Sequence, residues 1–242
     1  EVQKNKKILN DELKKINGIS FFNNEKLETT KKQNIYKTLD DLPNYDYSLF
    51  DDQIFFRAYN GEVLRAIDYE MSRGCLYSCS YCVETVIQRY YDFNETTPSG
   101  AIKGANSYLR SKSAKKIYQE LSSYKKDFGI QLVRCQDTNF LTLNRKVLLE
   151  LASFIKEKPL GLKLYIETRP EGINEKTITL LKDLGVDGVG MGLELSGEDF
   201  RSSKLNRFVD QDKIINAFKL LRKNKINSTA YNIIGLPEQD EK

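Results

Sequence analysis

From residue 64 onward the chain alternates short apolar runs with amphipathic helical stripes, and no other feature restricts the fold as strongly. The runs Leu64–Met71, Ile130–Val133, Leu162–Ile166, Val186–Met191 and Ser228–Ile234 predict five strands. Between them, Ala114, Ile117, Tyr118, Leu121 and Tyr124 fall on one helical face, and Val147, Leu148, Leu151, Phe154 and Ile155 on another. A shorter stripe, Ile178, Leu181 and Leu184, has Asn174 placed to cap its start and Gly185 just past its end. Asp210 is expected to cap a fourth helix that buries Ile214, Phe218 and Leu221. Strands separated by helices imply a parallel sheet with right-handed crossovers. The class is therefore α/β, a barrel or half-barrel expected to continue beyond Lys242.

Residues 1–60 read differently, as a small α+β linker region ahead of a barrel over 61–242. Residues 6–16 predict one short helix. Gly18–Phe22 and Lys26–Thr29 flank Asn23-Asn24 and predict a hairpin, because Asn tolerates the positive φ of tight turns. The stretch Leu39 to Asp46, with Pro43, predicts an irregular linker, and Asn60-Gly61 a second turn. Residues 94–113 predict a polar, mobile loop.

Composition excludes some functions. A net charge of +4 over 242 residues does not argue for nucleic acid. No apolar run approaches the roughly 20 residues of a membrane helix. No signal segment follows Glu1, so the expectation is part of a longer cytoplasmic protein. The chain has no His, which removes the commonest general base and zinc ligand.

Three of the four cysteines lie in Ser72-Arg73-Gly74-Cys75-Leu76-Tyr77-Ser78-Cys79-Ser80-Tyr81-Cys82, spaced C-x3-C-x2-C at the carboxyl end of the first strand. That is where α/β folds place their chemistry. Thiolates clustered without a secretion signal point to metal or catalysis rather than disulfides. Three thiolates on one loop can each hold one iron of a cubane and leave the fourth iron open for substrate. A zinc site would need Cys135 as its fourth ligand, and Cys135 sits in a strand run where a core thiol is expected. Three core thiols are disfavoured on a loop bearing Gly and Ser.

This segment resembles the radical SAM signature, with Tyr81 as the aromatic before the last cysteine. The likeness extends over roughly residues 36–242. It implies a partial (β/α) barrel whose Cys75, Cys79 and Cys82 hold a 4Fe–4S cluster, with S-adenosylmethionine (SAM) bound at successive strand ends. Arg73-Gly74, Leu42-Pro43 and the hairpin with its linker over 18–47 resemble the subgroup in which this barrel follows a cobalamin-binding domain. Residue by residue, the resemblance places SAM contacts at Tyr81, Asp137, Glu167, Glu194, Ser196, Arg201, Ile233 and Gly235. Asp137 reads equally as acceptor for the SAM ammonium or as an Asx-turn leading to Asn144. Glu167 is left open between ribose, substrate and Arg169. Arg201 pairs with the SAM carboxylate or is a surface arginine. The chain departs from the family pattern in two places. Leu195 is inserted between Glu194 and Ser196, and Tyr231 replaces a glycine ahead of Ile233 and Gly235.

The activity implied is reductive cleavage of SAM to a 5′-deoxyadenosyl radical that abstracts hydrogen from an unactivated carbon. With cobalamin supplying a methyl group, C-methylation is the favoured outcome. The implied partners are a small-molecule substrate and an electron donor such as flavodoxin or ferredoxin. Methylthio transfer to RNA, a cyclisation, and a non-catalytic zinc or iron–sulfur module are the alternatives.

Overall fold

The computed structural model describes residues 9–239, which fall into two compact units divided between Tyr36 and Lys37. In the first unit, residues 9–13 are helical; the rest of the helix expected over 6–16 lies partly outside the described residues. The hairpin forms from β1 (Ser20–Asn23) and β2 (Lys26–Thr29). Its turn is Asn24-Glu25, both at positive φ, one residue later than the sequence suggested.

The second unit is built on β3 (Phe56–Tyr59), β4 (Glu62–Tyr69), β5 (Ser72–Arg73), β6 (Arg110–Ser111), β7 (Leu132–Cys135), β8 (Lys163–Thr168), β9 (Val186–Glu194) and β10 (Asn227–Asn232). Six of these form one curled sheet in the order β10-β9-β8-β7-β4-β3. Five run parallel and β3 alone is antiparallel, joined to β4 through Asn60-Gly61. Both turn residues have positive φ, as the tight hairpin requires. The result is the expected α/β half-barrel.

Strand alternation divides the sheet's two faces. Ile67, Tyr69, Val133, Cys135, Leu164, Ile166, Val189 and Met191 join the main core. They meet α3 (Ala114–Phe128), α4 (Arg145–Glu157), α5 (Glu175–Asp183) and α7 (Gln211–Lys223). Ile117, Leu151 and Leu181 are fully buried there, each worth about 2 kcal/mol of transfer free energy. The other face carries Leu64, Ala66, Leu132, Tyr59 and Tyr165. Phe55 packs in the main core, and Leu39 is buried as well.

Four local expectations change. Asn174 caps α5 with a full capping box to Thr177, but Asp210 makes no capping bond to α7 and pairs with Lys213 at 2.6 Å instead. Residues 94–113 are ordered rather than loose: α2 (Ala105–Tyr108) lies within them, β6 pairs with β5, and Ile102 and Tyr108 are buried. The first strand ends at Tyr69, short of Met71. Two helices carry no apolar stripe toward the core and escaped the sequence reading, α1 (Val83–Tyr90) and α6 (Glu198–Ser203).

One buried ion pair supports the wall formed by β4 and α3. Lys112 Nζ lies 2.7 Å from Glu120 Oε2, with side chains 6% and 1% exposed, and sits 4.2 Å above the Tyr69 ring. The Tyr69 hydroxyl donates to the same carboxylate. Removing one partner of such a pair strands the other charge. Lys112→Met is expected to cost about 3 kcal/mol, because Lys116 remains at 3.3 Å and compensates in part. The fall in melting temperature, on the order of 10 °C, is checked by thermal denaturation followed by circular dichroism.

Candidate functional site

The cysteine loop leaves β5 through Gly74, whose φ of +94° and close approach to Tyr108 leave no room for a side chain. A Cβ there would meet the Tyr108 carbonyl at 3.0 Å and its ring at 3.1 Å. The loop's own polar backbone is satisfied largely by α1, which turns its polar face inward. Glu84, Thr85 and Gln88 are buried, whereas Val83, Val86, Ile87 and Tyr90 face out. Gln88 Nε2 donates to the carbonyls of Cys75 and Tyr77 at 2.9 and 3.0 Å, and its Oε1 accepts from Ser78 at 2.6 Å. Glu84 accepts the Cys75 N–H at 3.1 Å and the Tyr108 hydroxyl at 2.6 Å. Thr85 donates to the Cys79 carbonyl at 2.7 Å. On the opposite side, Asn206 and Leu205 hold Ser78 and Ser80.

So braced, the loop opens on a cavity of about 250 Å³ at the carboxyl ends of the parallel strands. Cys75, Cys79, Cys82, Tyr81, Glu167 and Glu194 all line it. Among the other lining residues are Tyr77, Arg169 and Arg207, which the sequence reading did not select as site residues, and Tyr231, which it noted only as a departure from the family pattern.

All three thiols are free. Burial pushes the Cys75 thiol up to about 11 and raises that of Cys82, so a metal would displace protons to bind. Two donors already address the sulfurs. The Tyr77 N–H reaches Cys75 Sγ at 3.4 Å, and Arg169 Nη1 reaches Cys79 Sγ at 3.5 Å. Among the described residues, no three His, Cys, Asp or Glu side chains converge on a single ion. A cubane does not ask for convergence, since each cysteine takes a different iron. Soft donors spread around one cavity suit the cluster, and Cys135, 1% exposed in the core, is the buried thiol expected.

The remaining candidates divide. Glu194 ends β9 at a φ of +65°, a left-handed conformation that costs a non-glycine residue about 1 kcal/mol or more. It accepts the Tyr81 hydroxyl at 2.7 Å and lies 3.6 Å from Arg207. Burial raises the Tyr81 phenol, Arg207 opposes that rise, and the Glu194 carboxylate adds to it. Glu167 pairs with the Tyr231 hydroxyl at 3.2 Å, which in turn meets Tyr165 at 2.7 Å. Arg169 is not its partner, because Glu171 takes that guanidinium at 2.5 Å. A Cβ on Gly190 would sit 2.7 Å from both tyrosine hydroxyls, so glycine makes room for the pair.

The five other candidates lie outside the lining of this cavity. Asp137 is 1% exposed and does not reach the cavity. Its carboxylate accepts from the Ser72 hydroxyl and from the Met71 N–H at 3.3 Å, pinning the corner between β4 and β5. Those two bonds engage its carboxylate in place of the Asx-turn toward Asn144. Arg201 is fully buried, donating to the carbonyls of Leu195 and Val209 and to Gln211; it braces its own segment and does not line this cavity. Ser196 is exposed, and neither it, Ile233 nor Gly235 lines the cavity. Ile233 acts through its backbone, donating to the Glu194 carbonyl at 2.8 Å.

Asp137 carries a pH prediction. Burial pushes its carboxyl up to about 6 from 3.8. A raised acid contributes stability that is complete below the unfolded value and is lost as pH rises through the folded one. Roughly 3 kcal/mol should therefore disappear between about pH 4 and pH 7. Urea unfolding of wild type and Asp137→Asn across that range checks it, the variant showing a flatter dependence.

The sequence model of the radical SAM superfamily matches residues 69–242. The chain belongs to that superfamily. It is 23% identical over 228 residues to the uncharacterized methyltransferase PH0819 of Pyrococcus horikoshii, covering 94% of this chain and 45% of that one. It is 24% identical over 172 residues to the anaerobic magnesium-protoporphyrin IX monomethyl ester cyclase of Rubrivivax gelatinosus, covering 69% and 27%. This radical SAM chain thus spans under half the length of either curated relative. In fold it is similar to the radical SAM methyltransferase TsrM of Kitasatospora setae, solved with cobalamin and a 4Fe–4S cluster. There the TM-score is 0.57 at 20% identity, over 73% of this chain and 32% of that one.

Proposed function

We propose that this radical SAM chain holds a 4Fe–4S cluster through Cys75, Cys79 and Cys82 and belongs to a cobalamin-dependent enzyme that transfers a methyl group to an unactivated carbon. The observation that carries the reading is the placement of three free thiols of one C-x3-C-x2-C loop around a single cavity at the strands' carboxyl ends. When bound, the cluster supplies the electron that breaks a carbon–sulfur bond of SAM. The protein's part is to orient that cofactor and keep water out. Opposed charges on Glu194 and Arg207 offer partners for the zwitterionic end of SAM, and Tyr81 fixes the Glu194 carboxylate. The Glu167–Tyr231 pair is a polar contact for ribose or substrate. No histidine is required, because hydrogen-atom abstraction uses no general base.

The finer assignment rests on likeness. A methyltransferase name belongs to one relative, and cobalamin to the structure similar in fold. In this reading residues 1–60 join the barrel to a cobalamin-binding domain, a reduced flavodoxin or ferredoxin supplies electrons in the cytoplasm, and the substrate is a small biosynthetic intermediate.

Anaerobic reconstitution with iron and sulfide, followed by dithionite and SAM, tests it. The expected results are a brown protein and 5′-deoxyadenosine above the no-enzyme background. Stoichiometric zinc with no cluster sinks the proposal. Cluster and cleavage without any effect of added methylcobalamin on product methylation would retain the radical SAM chemistry and remove the cobalamin assignment.

A further inference from the structure

The three cysteines are not equivalent. Cys79 is the most buried, at 7% exposure, so a charge on its sulfur receives the least help from water. A cation stands against it. Arg169, at the carboxyl end of β8, is itself 6% exposed and places Nη1 3.5 Å from Cys79 Sγ. Two neighbours hold the guanidinium in place. Its carbon lies 3.7 Å from the centre of the Tyr77 ring, and its Nε donates to Glu171 at 2.5 Å. Its second terminal nitrogen, Nη2, is buried with no partner in the protein, as is Glu171 Oε2. A buried guanidinium with an unused donor is costly to maintain unless something else occupies its surroundings.

We infer that Arg169 is a positioning residue that sets the reduction potential of the cluster through Cys79, with Glu171 opposing it. This rests on the cluster assignment above. Hydrogen bonds to ligating sulfur and nearby charge are established levers on iron–sulfur potentials. Adding an electron makes the cluster more negative. A cation held against its least hydrated sulfur stabilises the reduced state and draws the midpoint upward. The Glu171 carboxylate cancels part of that charge and draws it back down. Because the Arg169 side chain is stacked and ion-paired, its charge cannot swing away, and the effect is a fixed property of the site.

The test is a redox titration of the reconstituted protein, following the reduced cluster by electron paramagnetic resonance with iron content measured in parallel. Arg169→Gln is expected to lower the midpoint, making the cluster harder to reduce. Glu171→Gln, which keeps an acceptor for Nε, is expected to raise it. Opposite signs are the signature, since mere loosening of the loop would move both variants the same way or lower iron content in both. Unchanged midpoints, or shifts of the same sign, overturn the inference. Should Arg169→Gln take up no iron, the Glu171→Gln midpoint decides alone: an upward shift supports the inference, and no shift or a fall overturns it. Wild-type protein that assembles no cluster would instead remove the underlying assignment, so the two failures are distinguishable.

Discussion

Replacing any one of Cys75, Cys79 and Cys82 with alanine is expected to abolish cluster assembly and bring SAM cleavage to background. Three thiolates holding three irons leave no redundancy, and the fourth iron has to remain free for SAM. Cys135 cannot substitute. It is 1% exposed on the helix-facing side of β7, within the main core, and burial holds its thiol well above the ordinary range. The fold should survive each replacement, because Cys75 and Cys82 are only partly buried and Cys79 loses a single sulfur. Iron and sulfide analysis with the visible spectrum reads the first part, and 5′-deoxyadenosine the second. Circular dichroism separates loss of ligand from loss of fold. A variant that retains full iron content would show that its cysteine is not a ligand.

Gln88→Leu is expected to be nearly as damaging without touching a ligand. The Gln88 side chain is fully buried and satisfies three polar groups of the cysteine loop, the carbonyls of Cys75 and Tyr77 and the hydroxyl of Ser78. Leucine has similar volume and none of these bonds. Each buried group left unpaired costs about 1–3 kcal/mol, so the native loop is disfavoured by several kcal/mol relative to conformations that reach water. The core behind it is untouched, so the cost falls on the loop. Iron uptake should drop sharply while far-ultraviolet circular dichroism stays close to wild type. Gln88→Glu, which keeps the acceptor for Ser78 and loses the donor, should fall between them. Normal iron loading in Gln88→Leu would show that the loop holds its shape by other means.

Much of this molecule was legible before any fold was known. Four of the core helices announce themselves through apolar spacing, since each buries one face against a sheet, and periodicity records that directly. Four of the five parallel strands, β4, β7, β8 and β9, are apolar on the face that packs under those helices, whereas β10 is exposed along its length. The cysteine spacing, read with the strand before it, located the loop that lines the cavity. Its chemistry is local: the donors lie within eight residues, and no tertiary contact is needed to bring them near one another.

What the sequence could not disclose is everything that depends on which way a side chain points. Helix α1 hides from periodicity because its buried face is polar, a pattern that makes sense only with the cysteine loop lying on it. Asp137 and Arg201 looked like cavity residues because they stand near strand ends, yet the chain's path turns Asp137 into the β4–β5 corner and Arg201 into its own segment. Arg207, carried past the strand by α6, arrives beside Glu194 at 3.6 Å through a route no spacing rule encodes. Arg169 stands two residues past Glu167, just beyond β8, so both reach the same cavity; the partners it meets there, the Tyr77 ring and Cys79, come from a loop some ninety residues earlier in the chain. Spacing along the chain therefore determined the core strands, the four amphipathic helices and the cysteine loop. Which charges face the cavity, and which sulfur Arg169 meets, was decided only when the sheet curled and brought distant strand ends together.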